Sequence, residues 1–276
     1  MKNITRIIAL LLALMSIVCS FAACGNNEDE NNEPVPLTNE ERFRKMLQET
    51  EGASKVELSA DFVISVLAVY GSQREKVTYE MDMEMEIDGT DPENELTHTV
   101  SYLTVTNQLG ASSTVKSESY GKDGYMYTFS MGQKVKERIP ESDDDEENPI
   151  TLALKAIDSA VYTENEDGSL TVKVKIEASK NEDAKKAFIA LFDMGMTDNQ
   201  IRLCTIEDTE LEFVIDKDNQ LKSLKIPVSY SLIQNIPGST SLYSTNVKYD
   251  FIMTIDDING NFTINFPTDL DLYKEQ

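Results

Sequence analysis

Val77-Thr78-Tyr79-Glu80-Met81-Asp82-Met83-Glu84-Met85-Glu86-Ile87-Asp88 is the stretch that decides the fold. Val77, Tyr79, Met81, Met83, Met85 and Ile87 fall on one side, and Thr78, Glu80, Asp82, Glu84, Glu86 and Asp88 on the other. Side chains separate that way only in an extended strand, where successive residues point to opposite faces. One dry and one wet face mark a strand of an antiparallel sheet that covers a core on one side.

The same alternation spreads in both directions. Upstream, Val56, Leu58, Ala60, Phe62, Ile64 and Val66 alternate with Glu57, Ser59, Asp61 and Ser65. From Val63 onward Leu67 and Val69 make the second face apolar too, which predicts a strand end covered on both sides. Downstream, strands are expected over 97–106 and 115–120. Gly121-Lys122-Asp123-Gly124 then forms an Asp-Gly hairpin. Tyr125, Tyr127, Phe129 and Met131 line one face of the next strand, and 133–139 continues as a basic one. Later strands are read at Leu170, Val172, Val174 and Ile176, over 205–215 and 221–230, and along Tyr243, Val247, Tyr249, Phe251, Met253 and Ile255.

Helices are few. Thr38 or Asn39 caps a short one, with Glu41 completing a capping box and Phe43, Met46 and Leu47 on one face. Gly52 ends it. A second helix begins with Pro149-Ile150-Thr151-Leu152-Ala153-Leu154-Lys155-Ala156-Ile157, with Asn148 as its candidate cap, and a third, over 181–194, shows Ala184, Ala187, Phe188, Leu191 and Phe192. With about nine strands and no internal linker, residues 41–276 read as one β-rich α+β domain. The expected architecture is a single curved antiparallel sheet, a half-open barrel, with helices packed on its concave side.

Residues 1–23 have a different character. Lys2 and Arg6 precede the apolar run Ile7-Ile8-Ala9-Leu10-Leu11-Leu12-Ala13-Leu14-Met15, and small residues lead to Cys24. These are the parts of a secretory signal, and the run is shorter than the roughly 20 apolar residues of a membrane span. Phe21-Ala22-Ala23-Cys24 resembles the bacterial lipobox, in which the cysteine is acylated after cleavage. Two acyl chains, at about 0.8 kcal/mol per buried methylene, suffice for a stable anchor. Cys24 is therefore the expected lipidation site, carrying a palmitate-type diacylglycerol anchor, and the expected address is the extracytoplasmic face of the cell membrane. Residues 24–40 hold almost nothing apolar and read as an acidic disordered tether. As a coil it spans about 20–25 Å and, fully stretched, about 50 Å. Its acidic start also resembles the surface-export signals of Bacteroidetes-type lipoproteins, and a generic spacer explains it equally well.

A net charge of -24 argues against nucleic acid, whose phosphates demand clustered Lys and Arg. It also argues against electrostatic adhesion to an anionic membrane. Cys19 leaves with the leader and Cys24 is acylated, so Cys204 has no disulfide partner and reads as a small buried hydrophobe. The one histidine, His98, reads as a surface strand residue. No Ser-His-Asp set, His/Cys cluster or phosphate loop is present, so neither an enzyme, a metal nor a cofactor is expected. The acidic run over 141–148 lacks the spacing of an EF-hand and reads as a solvated loop. Asp216 and Asp218 hint at a metal loop, but a hairpin turn explains them without an ion.

Three stretches carry a family resemblance. They are Tyr120-Gly121-Lys122-Asp123-Gly124-Tyr125-Met126-Tyr127, Glu212-Phe213-Val214-Ile215-Asp216-Lys217-Asp218-Asn219-Gln220-Leu221, and Ile264-Asn265-Phe266-Pro267-Thr268-Asp269-Leu270. With the lipobox, they resemble Gram-positive lipoproteins related to the lipoprotein-carrier and mycobacterial lipid-binding lipoprotein superfamily. The resemblance implies a half-open barrel around helices, a cavity for acyl chains and no catalytic set. Candidate ligand-binding residues are Met81, Met83, Met85, Tyr125, Tyr127, Phe129, Tyr249 and Phe251, soft and aromatic side chains suited to an apolar wall. The expected function is binding of an apolar or amphipathic, lipid-like ligand. The alternative is a cell-envelope interaction module, with a protein partner that the sequence does not name, whose interior is filled by its own side chains.

Overall fold

The computed structural model describes residues 37–51, 53–91, 94–139, 157–179, 185, 203–235 and 242–275. The leader, Cys24, the tether up to residue 36, Gly52 and the acidic run over 141–148 lie outside these residues. So do the helices expected from 149 and over 181–194, except for Lys185, which is helical, and Ile157, which is not.

The described chain opens with helix α1 (Asn39–Glu51). Its capping box forms as expected. The Glu41 carboxylate accepts from the Thr38 N–H at 2.7 Å, and the Glu41 N–H donates to Thr38 Oγ1 at 3.3 Å. Hydrogen bonding from Thr38 holds the Glu41 carboxyl below its ordinary pKa. Phe43 and Met46 are buried, and the Phe43 ring meets Phe213 edge-on at 5.2 Å.

Thirteen strands follow, not nine: β1 (Lys55–Tyr70), β2 (Gln73–Asp88), β3 (Leu96–Thr106), β4 (Ser112–Lys122), β5 (Tyr125–Ser130), β6 (Gln133–Arg138), β7 (Ile157–Glu164), β8 (Leu170–Ile176), β9 (Cys204–Ile206), β10 (Thr209–Ile215), β11 (Leu221–Asn235), β12 (Leu242–Ile258) and β13 (Lys274–Glu275). They form one curved sheet in the order β13-β6-β5-β4-β3-β2-β1-β12-β11-β10-β8-β7, with β9 against β11. The path ends at β13 and β7, so the sheet does not close into a barrel. Its pairs are antiparallel except one, because β13 lies parallel to β6.

Two expectations change here. The strand read over 205–215 is two strands. β10 pairs with the first part of β11 as far as Glu212 and Lys225, and β9 pairs further along, at Tyr230–Leu232. The break faces Pro227, whose carbonyl accepts from the Thr209 hydroxyl. A strand residue points its C=O and N–H to the same neighbour, so on that side Pro227 offers no donor and the ladder stops. The outer end of β1 is apolar on both faces, as read, but only half-buried.

Registers fix which residues share a face. On the face called inner, rows run straight across the central strands: Leu103, Met81, Phe62, Phe251, Ile226, and one step on Val105, Tyr79, Ile64, Tyr249, Val228. Most of this face is core. Along β8, Leu170, Val172, Val174 and Ile176 are wholly buried. The sheet has two ends. At the base lie the turns β2–β3, β4–β5, β7–β8 and β10–β11. At the other end the β1–β2 turn and the facing ends of β11 and β12 project beyond the last β2–β3 pair, Thr78 with Thr106. Five residue rows make up this tongue, from Val66 to Tyr70 on β1, about 17 Å at strand rise. No described helix is long and apolar enough to cross a membrane.

Candidate functional site

The inner face of the central strands, from the base to the root of the tongue, gathers five of the eight candidate ligand residues. Met81, Met83 and Met85 project from β2 and are 4%, 3% and 1% exposed. Phe62 on β1 sits between Met81 and Phe251, with its ring 6.2 Å from that of Phe251 and 5.6 Å from that of Tyr249. Tyr230 stacks on Tyr249 at 5.9 Å and 19°. Burial pushes both phenols up, and for Tyr230 the neighbouring Tyr249 adds to it.

Across β3 and β4 the inner face changes chemistry. Thr99 stands opposite Met85 and Ser101 opposite Met83, and Ser117 and Ser119 continue the rows on β4. All four are buried. Ser119 shares a 3.0 Å hydroxyl contact with Thr128 on β5. The inner face is thus apolar over β1, β2, β11 and β12, and over β3 to β5 it mixes these hydroxyls with Leu103, Val105 and Met126.

Tyr125, Tyr127 and Phe129 do not join this group. The register carries Glu86 to His98, Tyr120, Tyr127 and Lys136, which is the face opposite Met85. There Tyr120, Tyr127 and Tyr273 form a separate small core with Tyr125, Phe266 and Leu270 around it. The C-terminal segment lies over this outer face. Phe266 meets Tyr120 at 5.7 Å, Tyr273 meets Tyr127 edge-on at 5.7 Å, and Lys134 pairs with Asp269. Lys136 Nζ sits 3.8 Å above the Tyr125 ring. Phe129 is exposed, and Met131 is not in the strand but in the β5–β6 turn at φ 53.

His98 also lies on the outer face, but it is engaged rather than merely displayed. Nδ1 is 2.9 Å from Glu86 Oε2, Nε2 is 3.2 Å from Glu118 Oε1, and the ring stacks on Tyr120 at 4.7 Å. The Tyr120 hydroxyl donates to Glu118 at 2.7 Å, and this bond, seconded by His98, lowers the Glu118 pKa. Only an imidazolium can donate to both carboxylates at once. Next to it a groove of about 460 Å³ is lined by Glu57, Ser59, Glu84, Glu86, Val100 and Asp256. A β-bulge between Glu57 and Leu58 turns Asp256 toward it. Among the described residues no group of three or more His, Cys, Asp or Glu side chains is arranged to hold a metal ion. Asp216 is occupied as a turn residue, accepting from the N–H groups of Asp218 at 2.8 Å and Gln220 at 2.9 Å. Cys204 is buried, and burial pushes its thiol up, away from the reactive thiolate.

The sequence reading missed the outer tyrosine core and the His98 sandwich. The available signal was the two-residue Asp123-Gly124 loop, which sets Tyr120 opposite Tyr127 and so makes them a pair.

No family model matches the chain, and no curated protein matches it. Among solved structures, the crystal structure of a DUF1329 family protein from Desulfovibrio piger is similar at 12% identity, over 82% of this chain and 93% of that one, with a TM-score of 0.24. A likeness of that size identifies neither a fold nor a function.

Proposed function

We propose that this chain is a lipoprotein anchored through Cys24 to the extracytoplasmic face of the cell membrane, and that its inner sheet face holds an apolar or amphipathic, lipid-like ligand. It is not an enzyme in this reading. The finer architecture, a half-open barrel wrapped around helices as in the lipoprotein-carrier and mycobacterial lipid-binding superfamily, belongs to the same proposal. The observation that carries it is the gradient of cover along one strand. The inner side of β2 runs from the buried Met85, Met83 and Met81 to the half-buried Tyr79 and Val77 without a break in apolar character. A ligand sliding along that face would meet soft, unbranched thioethers and aromatic edges. Hydroxyls of Thr99, Ser101 and Ser117 stand beside them for the polar part of an amphipathic molecule.

Native mass spectrometry of protein purified from a bacterial host tests the ligand. Co-purified lipid, or uptake of a fluorescent fatty acid, is the expected result, and neither appearing removes the ligand from the proposal. The anchor is tested separately. Cys24→Ala moves the protein to the soluble fraction if Cys24 is acylated, and leaves its fractionation unchanged if it is not.

One observation favours the second reading, an envelope interaction module without a small ligand. Met81, Met83 and Met85 pack into a core continuous with Leu58, Phe62, Phe251 and Ile255. A face filled in this way by its own side chains presents surfaces rather than a cavity.

A further inference from the structure

We infer that the tongue formed by the outer ends of β2, β1, β12 and β11, with β9 against β11, is a membrane-contacting surface that seats its β1–β2 tip in the interface of a lipid bilayer containing anionic lipid. The inference goes beyond the ligand proposal and depends neither on acylation of Cys24 nor on a bound lipid.

Four features meet there. First, both faces are apolar and open along β1, while on the β11 side Val247 and Leu232 are buried against the core. Val66 and Ala68 point to the inner side and Leu67 and Val69 to the outer, and all are half-buried. Second, the end is aromatic and exposed. Tyr70 stacks on Tyr243 at 5.3 Å and is 39% exposed, and Ile233 on β11 is 52% exposed. Amphipathic tyrosines favour the layer between lipid headgroups and chains.

Third, the charge reverses. Residues 66–77, 204–206, 230–234 and 243–247 contain Arg74 and Lys76 but one acid, Glu75, in a chain with 49 acidic residues. The base turns, in contrast, carry Asp88, Asp91, Asp123, Glu164, Glu166, Asp167, Asp216 and Asp218. A surface senses charges within a Debye length of about 8–10 Å, so the tongue meets a bilayer with its own cations and not with the distant acids of the base. Net charge opposes adhesion of the molecule as a whole but not of this end of it.

Fourth, the ladder sets the depth. Beyond Thr78 the outer edge of β2 has no partner strand among the described residues. Open N–H and C=O groups cannot enter hydrocarbon, so the tongue rests at the interface and does not span. Arg74 and Lys76 on that edge have stems long enough to reach headgroups while their backbone stays at the surface. The same two charges speak against a second copy as the occupant, since charged side chains on an edge strand oppose edge-to-edge pairing.

The chain has no tryptophan, so Tyr70→Trp gives a single reporter. It is placed in the full chain carrying Cys24→Ala, which removes any acyl anchor, and mixed with vesicles of phosphatidylcholine containing one-third phosphatidylglycerol. The expected result is a blue shift, quenching by brominated lipid and flotation with the vesicles that fades with added salt. Val161→Trp, an exposed site on β7, shows none of these. Tyr70→Glu with Ile233→Glu lowers the floated fraction at least tenfold while the melting curve is unchanged. No shift with these vesicles, an equal shift at Val161→Trp, or undiminished flotation of the double glutamate variant overturns the inference. Equal binding to pure phosphatidylcholine overturns its anionic part. A shift that rises with protein concentration in the absence of lipid overturns it in favour of self-association.

Discussion

At the base of the sheet Leu58 and Met85 face each other across β1 and β2, each 1% exposed. Nearer the far end of the same two strands, Leu67 stands opposite Lys76 and Tyr70 opposite Gln73, with both faces part-open. The backbone ladder is the same in both places. What differs is the company: at the base, β10, β8 and helix α1 complete the core around the central strands, while in the tongue burial is confined to the β11 side, where β9 pairs and Leu232 and Val247 join the core, and the β1–β2 side stays part-open. Strand pairing alone therefore does not make a core. The base is where the domain is held together, and the tongue is where apolar surface is left over for something else.

The contrast breaks most sharply under truncation. Met85→Ala opens a cavity in the base and is expected to cost about 2–5 kcal/mol of unfolding free energy in a denaturant titration. Leu67→Ala, in the tongue, is expected to cost about 1 kcal/mol or less. Equal costs would mean that the tongue is as closed as the base.

Arg42 sharpens the same point at the helix. Its guanidinium donates to Asn219 Oδ1 at 3.0 Å, the Gly168 carbonyl at 3.0 Å and the Asp216 carbonyl at 3.1 Å. One side chain thus ties α1 to the β7–β8 and β10–β11 turns. Arg42→Ala is expected to destabilise by about 1.5–3 kcal/mol, as for hydrogen bonds from a charged donor, with no loss of lipid uptake.

Alkaline pH acts at the root of the tongue. Burial raises the pKa of Tyr230 and Tyr249 above the ordinary 10.0. A raised folded value means that their contribution is fully present below pH 10, and is lost as pH climbs above it, because the unfolded phenols ionise first. Melting temperature is therefore expected to fall above pH 10, and Tyr230→Phe to blunt that fall. A flat profile would place both phenols in water. The smallest effect belongs to the cap: Thr38→Ala removes the box with Glu41 and is expected to cost about 1 kcal/mol by thermal melt.

Much of this contrast is legible in the sequence, and the illegible part has physical causes. Residues 77–88 sort their side chains by strand geometry alone, and the capping box and the Asp-Gly hairpin are local chemistry. The split between β9 and β10 is written on another strand, at Pro227, and no reading of residues 205–215 reveals it. β7 carries Ala160 beside an exposed Val161, so its alternation is too weak to see. The candidate site divided for a related reason. Tyr127 and Met85 lie on opposite faces because of the register between β2 and β3, and the loop over 88–96 does not set that register in any way a sequence displays. The apolar second face of β1 was visible, but its openness depends on which strands stop short, which is a property of the assembled sheet.

Amide hydrogen exchange on the full chain, with and without lipid vesicles, tests the division between base and tongue most directly. Without lipid, amides of Leu58, Phe62 and Val172 should exchange only through global unfolding, and those of Leu67 to Tyr70 and of Ile233 much faster. Added vesicles should slow the tongue and leave the base unchanged. Tongue amides as slow as the base without lipid, or no change on adding it, would contradict the account.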